Sequence, residues 1–483
     1  MYPLKEFDHY LEKLFDELGL PGVSVTIRGP GTLIYERGFG HRSIDRDLPM
    51  TGDTICGIAS MSKSFTTFAL AILAAEGKVS FDDPVAKYLP EFRVPGIPPE
   101  CVTIRHLAMH TSGIPPIQPL EWSIALNSVE RDSEWHREML RTSPNQMDQI
   151  EQIIQYIAEG DYGEPGYGTL GSPGEYMSYS NEGYAILCYV FDAVSDVPLE
   201  EFLRDRIFGP LGMTRTILDL DGSEARLLEP QGNMTSLFER DEDGKLIEDD
   251  DWSVLPPFRS CACIKSTTSD LTKYYQMLSR GGKVDRVQVF PEKAVDLLIG
   301  SGFPLQERPY YCFGLSKRLF HGRIICEHDG GLHGVSTGGG LIDGGYSAAV
   351  FCNEGDVDTD PFKWAAYNLL LGLPFDTDHC WAKPSGAVFS APEALEGDYV
   401  CQEGMPQHLV IAPTAEREEL PPEEGIPAVY QGDPVLLRYC FGSVFAAYSR
   451  RTPGKRVSIM EFYIRNGQAW GVRCGSRIYQ RKK

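Results

Sequence analysis

Ser60-Met61-Ser62-Lys63 sets a hydroxyl and an ammonium three residues apart. On a helix that spacing puts both on one face, so Lys63 can lie against the Ser60 hydroxyl. A place at the helix N-terminus adds a free backbone N–H and the positive end of the dipole. Desolvation or a nearby cation lets a neutral lysine act as a base. The chemistry on offer is acyl transfer to a serine nucleophile. The same four residues also describe a plain helix start with Ser60 as its cap. Tyr179 and Asn181, in PGEYMSYSNEGY, form a second pair. A phenol is a poor base at its usual pKa of about 10, and adjacent ammonium groups depress it. Asn181 can donate to a substrate amide oxygen and hold Lys63; a capped turn into a helix is the other reading. His328-Asp329-Gly330-Gly331 is the third element. Small residues after a strand let a substrate backbone approach and pair with the sheet edge. The N–H groups of Gly331 and Ser60 can then form an oxyanion hole.

These groups need a mixed fold to hold them. Leu4, Phe7, Leu11, Leu14, Phe15 and Leu18 recur at helical spacing and predict an amphipathic first helix. GVSVTIRG and GTLIYERGFG predict two strands joined by a Gly/Pro turn. Ser60 to Ala75 is apolar nearly all round, which predicts a helix buried inside a domain and stopped by Gly77. QMDQIEQIIQYIAEG and NEGYAILCYVFDAVSD predict further helices. The stretch 236–252, dense in Asp and Glu, reads as a solvated loop. IICEHDGG, GGGLI and YSAAVFCN predict strands that close a sheet. Together they imply an α/β or α+β catalytic domain over residues 1–380. From 385 to 483 the pattern changes to DYVC, HLVIA, VLLRYC, VFAAYS, VSIMEFYIR and AWGVRC, with Asn466-Gly467 marking a hairpin. Regular short strands of this kind predict an antiparallel β-barrel. It is expected to shape access or association and to supply no catalytic group.

A formal net charge of −23 argues against nucleic acid and anionic membrane surfaces as partners. No apolar run is long enough to span a bilayer, and the N-terminal stretch has no secretory pattern. Twelve Cys without such a signal point to reduced thiols in a cytoplasm.

The three elements in their order and contexts resemble the penicillin-recognising serine hydrolases: class C β-lactamases, D,D-peptidases, D-aminopeptidases and related esterases. That family's order is S-x-x-K, then Y-x-N, then K/H-x-G. GIASMSKSFTTFALAILAAEGKVSFDDPVAKYLPEF resembles its nucleophile helix, and TIRHLAMHTSG and IFGPLGMTRT resemble later landmarks. The resemblance covers roughly 5–370, and the segment opened by EALEGDYV is similar to lipocalin-like domains appended to some members. It implies a β-lactamase/D,D-peptidase-like α/β domain, an antiparallel sheet plus a helical region. It also implies that Ser60 is acylated, that Lys63 and Tyr179 share its proton, and that Asn181, His328, Gly330 and Gly331 bind substrate. The division of labour between Lys63 and Tyr179 stays open. No cofactor or metal is implied; the partner is a small-molecule or peptide substrate, and homo-oligomer formation stays open. The activity implied is amide hydrolysis of the D-aminopeptidase type, with an esterase, a weak β-lactamase or a non-catalytic binding protein as alternatives.

Several residues depart from that pattern or carry a second meaning. His328 stands where β-lactamases mostly have Lys, which weakens the case for binding a substrate carboxylate. Cys261 and Cys263 read as buried thiols, because no second pair follows at zinc spacing. His333 reads as structural, as do His106 and His110 despite their i, i+4 spacing. The segment GMPQHL around His408 is the one tail loop expected to be able to enter the site, although a surface role fits it better.

Overall fold

The computed structural model describes the chain apart from residues 1, 128–132, 242, 301, 306–309, 381, 414–419 and 422–423. A nine-stranded antiparallel sheet organises the first 370 residues. Its order is Phe303–Pro304, Tyr310–Tyr311, Ser316–Phe320, Arg323–Leu332, Val335–Ile342, Tyr346–Cys352, Gly22–Gly29, Thr32–Ser43, Leu48–Pro49. The chain's early strands therefore sit beside its late ones, with Val25 opposite Val350.

Both faces of the sheet are covered, so the strand Gly22–Gly29 is buried almost throughout. Val23, Val25 and Ile27 join Phe7 and Leu11 of the helix Leu4–Leu18 and Phe362, Ala365 and Ala366 of the helix Asp360–Leu371. The opposite face meets the helix Thr268–Ser279 through polar contacts: Thr26 Oγ1 lies 2.8 Å from Thr268 Oγ1, and Ser347 donates to the Thr272 carbonyl at 2.8 Å. Beyond that helix lies the main apolar core, with the helix Ser62–Ala75 in its middle. Leu70 and Leu73 are buried there beside Leu187 and Leu203. Burying such a side chain stabilises by about 1.5–3 kcal/mol, so this helix is a fixed platform.

The expected elements are found, with corrections. The acidic stretch is a hairpin, Leu237–Arg240 paired with Leu246–Asp249, and not a solvated loop; Glu242 lies outside the described residues. Its carboxylates are structural partners: Glu248 accepts from the Ile44 and Asp45 N–H groups at 3.0 and 2.9 Å. Residues Gly397 to Arg481 form a closed eight-stranded antiparallel barrel. Two of its strands, Ile426–Tyr430 and Arg477–Arg481, are not among the expected segments. Val400 opposite Gln480 closes the ring around Tyr399, Leu409, Phe445, Phe462 and Val472.

Candidate active site

The turn that carries Ser60 is strained. Ala59 has φ +44°, in the left-handed region that a residue with a Cβ avoids. It leads into a short 3₁₀ turn, Ala59–Met61, and then the helix Ser62–Ala75. The Ser62 hydroxyl accepts from the Ile264 N–H at 3.3 Å and ties the start of that helix to the neighbouring strand. Ser60 therefore stands on a sharp corner at the mouth of a buried helix, with Lys63 one turn along. Lys63 is fully buried; its Nζ donates to Ser60 Oγ at 3.0 Å and to the Cys261 carbonyl at 3.3 Å. The ammonium lies 4.9 Å from the centre of the Tyr179 ring. The Tyr179 hydroxyl is buried with no hydrogen-bond partner among the described residues. A buried polar group without a partner calls for an explanation, and a place in a cleft beside Ser60 and Lys63 offers one.

His328, Gly330 and Gly331 lie on the strand Arg323–Leu332. Among the described residues its pairing with the strand Ser316–Phe320 ends at Ser316 opposite Glu327, just before the cleft-lining residues 328–332. Gly330 is where this strand crosses the Ser60 corner: a Cβ there would sit 2.4 Å from the Ile58 carbonyl oxygen. A Cβ at Gly331 would meet nothing within 4 Å. A cleft of about 1190 Å³ is lined by Ser60, Tyr179, Asn181, His328, Gly330 and Gly331 together. Every sequence-derived site residue except the buried Lys63 lines it, and Lys63 reaches it through Ser60.

One contact differs from expectation. Asn181 is directed at Glu403 (Nδ2 to Oε1, 3.5 Å), and the partners of Lys63 are Ser60 and Cys261. Glu403 belongs to the barrel, which therefore contributes to the cleft wall. The Tyr179 N–H donates to the Ser476 carbonyl at 2.8 Å, and the Ile478 N–H donates to Ser178 Oγ at 3.2 Å. These two bonds seat the last hairpin of the barrel against the Tyr179 segment. The Arg477 guanidinium then lies 4.4 Å over the Tyr179 ring, held by Glu403 at 2.5 and 2.6 Å. Burial works against its charge, but Glu403 holds Arg477 firmly protonated. Gln118 and Gly404 exchange two further bonds, at 2.7 and 3.1 Å. The GMPQHL segment thus touches the catalytic domain through its first residue, while His408 pairs with Asp398 at 2.8 Å on the barrel.

Two more residues were not read as site residues. His110 is buried, with its ring 4.2 Å from that of Tyr179, and burial, helped by the nearby Lys63 and Arg477, pushes its pKa well below the usual value. Its Nε2 lies 3.0 Å from the Tyr311 hydroxyl, which lies 3.2 Å from His328 Nε2. His110 sits in the quoted TIRHLAMHTSG; Tyr311 carries no motif. His106 is structural: its Nδ1 accepts from the Thr103 N–H that opens its own helix. Cys261 and Cys263 are buried thiols, at 3.2 and 4.0 Å from backbone carbonyls. His333 lines the cleft rim between Asp249 and Glu239, at 2.9 and 3.4 Å. Burial alone would lower its pKa, but these carboxylates push it up to about 10.

Deeper in the wall, Glu182 has its pKa pushed up to about 7 by burial and by Glu403, although Ser180 donates to it. Behind His328, the carboxylate of Asp329 is tied to buried Lys363, which also holds Asp360 at 2.6 Å.

A family model described as beta-lactamase matches residues 7–372. Penicillin-binding protein 4* of Bacillus subtilis (strain 168) is 26% identical over 442 residues, covering 85% of this chain and 86% of that protein. Among solved structures, the octameric penicillin-binding protein homologue from Pyrococcus abyssi superposes with a TM-score of 0.67 at 22% identity, covering 99% of each chain. The D-amino acid amidase from Ochrobactrum anthropi SV3, complexed with L-phenylalanine amide, gives 0.56 at 21% identity, covering 76% of this chain and 96% of that one. At such identities the two structures speak to the fold. Among the described residues no helix is long and apolar enough to cross a membrane.

Proposed function

The chain belongs to the beta-lactamase family of serine hydrolases, and on that premise we propose that it hydrolyses amide bonds in small peptides or amino-acid amides, D-residues among them, through an acyl-enzyme on Ser60. The observation that carries this reading is the pairing of Ser60 Oγ with buried Lys63 at 3.0 Å, beside a Tyr179 hydroxyl that has no partner of its own. Ser60 Oγ attacks the substrate carbonyl carbon, and its proton passes to the Lys63–Tyr179 pair in its singly deprotonated form, the base being either a neutral Lys63 amine or a Tyr179 phenolate. The carbonyl oxygen, now an oxyanion, lies between the N–H groups of Ser60 and Gly331. Breakdown of the tetrahedral intermediate returns the proton to the leaving amine and leaves an ester on Ser60. Water, activated by the same pair, then releases the acid. Asn181 and His328 orient the substrate from opposite walls, and residues 328–332 offer it a strand edge. We divide the chain into a hydrolase domain over 1–380 and a barrel over 385–483.

Amide rather than ester substrates, and D-residues, are supported by the resemblance to a D-amino acid amidase. Association of copies is supported by the octameric homologue, and a reducing compartment by twelve free cysteines. A binding protein without turnover is disfavoured, since it would gain nothing from a buried ammonium held on a cleft serine. The test is intact-mass labelling with a fluorophosphonate, followed by a panel of D- and L-amino-acid anilides and simple esters. One adduct is expected, at Ser60, together with turnover of D-anilides. Ser60→Ala should lose the adduct and on the order of a millionfold in kcat. Labelling at another residue, or turnover surviving in Ser60→Ala within tenfold of the parent, would overturn the assignment.

A further inference from the structure

The contacts around His328 fix where its proton lies. Its Nδ1 meets the Asp329 carbonyl oxygen at 2.5 Å. A carbonyl only accepts, so Nδ1 carries a hydrogen. At the far end of the chain of contacts, His110 Nδ1 accepts the Ser180 N–H at 3.0 Å. A backbone N–H only donates, so the hydrogen of neutral His110 is on Nε2. That N–H points at the Tyr311 oxygen, 3.0 Å away, and the Tyr311 hydroxyl in turn points at His328 Nε2 at 3.2 Å. With His328 neutral, the two ends, one a donor and one an acceptor, give the relay a single polarity. His110 donates to Tyr311, Tyr311 donates to His328, and His328 donates to its own strand.

We propose that Tyr311 and His110 are positioning residues that hold His328 in its neutral Nδ1–H tautomer. His328 is thereby left uncharged, and the site favours substrates whose leaving side ends in an amide, ester or other neutral group. The charged surroundings agree. Lys63 faces His110 from its helix and Arg477 faces it from the barrel; both oppose a second proton on the relay. On the Asn181 helix, Glu182 is engaged with Ser180, and the Tyr184 ring lies 5.0 Å from His110. Glu403 is occupied by Arg477, and Asp329, next to His328 in sequence, by Lys363. The Tyr179 ring stands 6.0 Å from His328. A protonated His328 would turn a second N–H toward a phenol oxygen that already accepts from His110, and the phenol would have to redirect its own hydrogen.

The selectivity half rests on the Ser60 acyl-transfer reading; the tautomer half does not, and the experiment separates them. Long-range proton–nitrogen spectra of protein labelled at histidine, assigned with His328→Gln, read both ring nitrogens directly. At pH 7 His328 should show a bare Nε2 and a protonated Nδ1, and His110 the reverse. Tyr311→Phe removes a donor that stabilises the neutral ring, so the His328 titration should move up by roughly half to one pH unit. Doubly protonated His328 at pH 7, or a titration unmoved in Tyr311→Phe, overturns the relay. In the second arm, a D-residue dipeptide amide and its free acid are compared. The amide's advantage should shrink as pH falls through the His328 titration, when an imidazolium can attract the carboxylate. An intact relay with an unchanged ratio overturns the selectivity alone.

Discussion

Gly330→Ala is the sharpest test of how the site is built. The methyl group would stand 2.4 Å from the Ile58 carbonyl oxygen, 2.5 Å from Thr337 Oγ1 and 3.2 Å from Ala59 Cβ. Carbon rests near 3.5 Å from its neighbours, so the strand and the Ser60 corner must separate by roughly 1 Å. The Ile58 oxygen cannot turn aside: it belongs to the backbone and accepts from the Met61 N–H at 3.1 Å and from Thr337 Oγ1 at 3.3 Å. Overpacking of this kind costs about 1–3 kcal/mol. A misplacement of about 1 Å between reacting groups costs about 100-fold in rate. Gly331→Ala is the control, because its methyl meets nothing within 4 Å and neither glycine has a left-handed φ. Thermal melting and the rate of fluorophosphonate labelling at Ser60 read both effects. Gly330→Ala should melt a few degrees lower and label about 100-fold more slowly, while Gly331→Ala should melt with the parent. A Gly330→Ala protein that matches the parent in both measurements would falsify the close crossing of strand and corner.

Three further outcomes are expected. If Lys63 and Tyr179 act as one proton-transfer unit, Lys63→Ala, Tyr179→Phe and the double variant should retain similar residual kcat; a double variant slower by the product of the single losses would show separate roles. Arg477→Ala leaves the half-buried Glu403 without its cationic partner, so the melting temperature should fall. Adding Glu403→Gln should restore the melting temperature but not the labelling rate, and recovery of both would leave Arg477 no part in the chemistry. His333 has its pKa raised from 6.5 to about 10 by Asp249 and Glu239. Its contribution to stability is therefore complete below about pH 6.5 and is lost as pH rises towards 10. Denaturant unfolding of His333→Gln across that window should lack this slope, and a slope equal to the parent's would exclude the clamp.

The site's central residues were legible because their relations are local. Ser60 and Lys63 are one helical turn apart, and His328 to Gly331 is a strand whose small residues announce close approach. The antiparallel sheet and barrel follow from alternating strands and their glycine boundaries. What sequence hid depends on docking. Arg477 and Glu403 acquire meaning only where the barrel's last hairpin meets Tyr179, and nothing in their neighbourhood marks it. His110 looked structural because its role is to pass a hydrogen bond between Ser180 and Tyr311, residues remote in sequence. The acidic hairpin was hidden because Asp and Glu disfavour strands, yet here the carboxylates are consumed by Ser43, His333 and backbone N–H groups. Pro427 concealed one barrel strand in the same way.

The bond from Ile478 to Ser178 joins residues 300 apart in the chain. Ribosomes add about 5–20 residues per second, so the Tyr179 segment waits on the order of 15–60 s before the hairpin that covers it exists. Over that interval the nascent chain holds Ser60 and Lys63 but lacks the cation above Tyr179. The Tyr179 wall of the cleft is therefore completed only once the barrel has been made and closed.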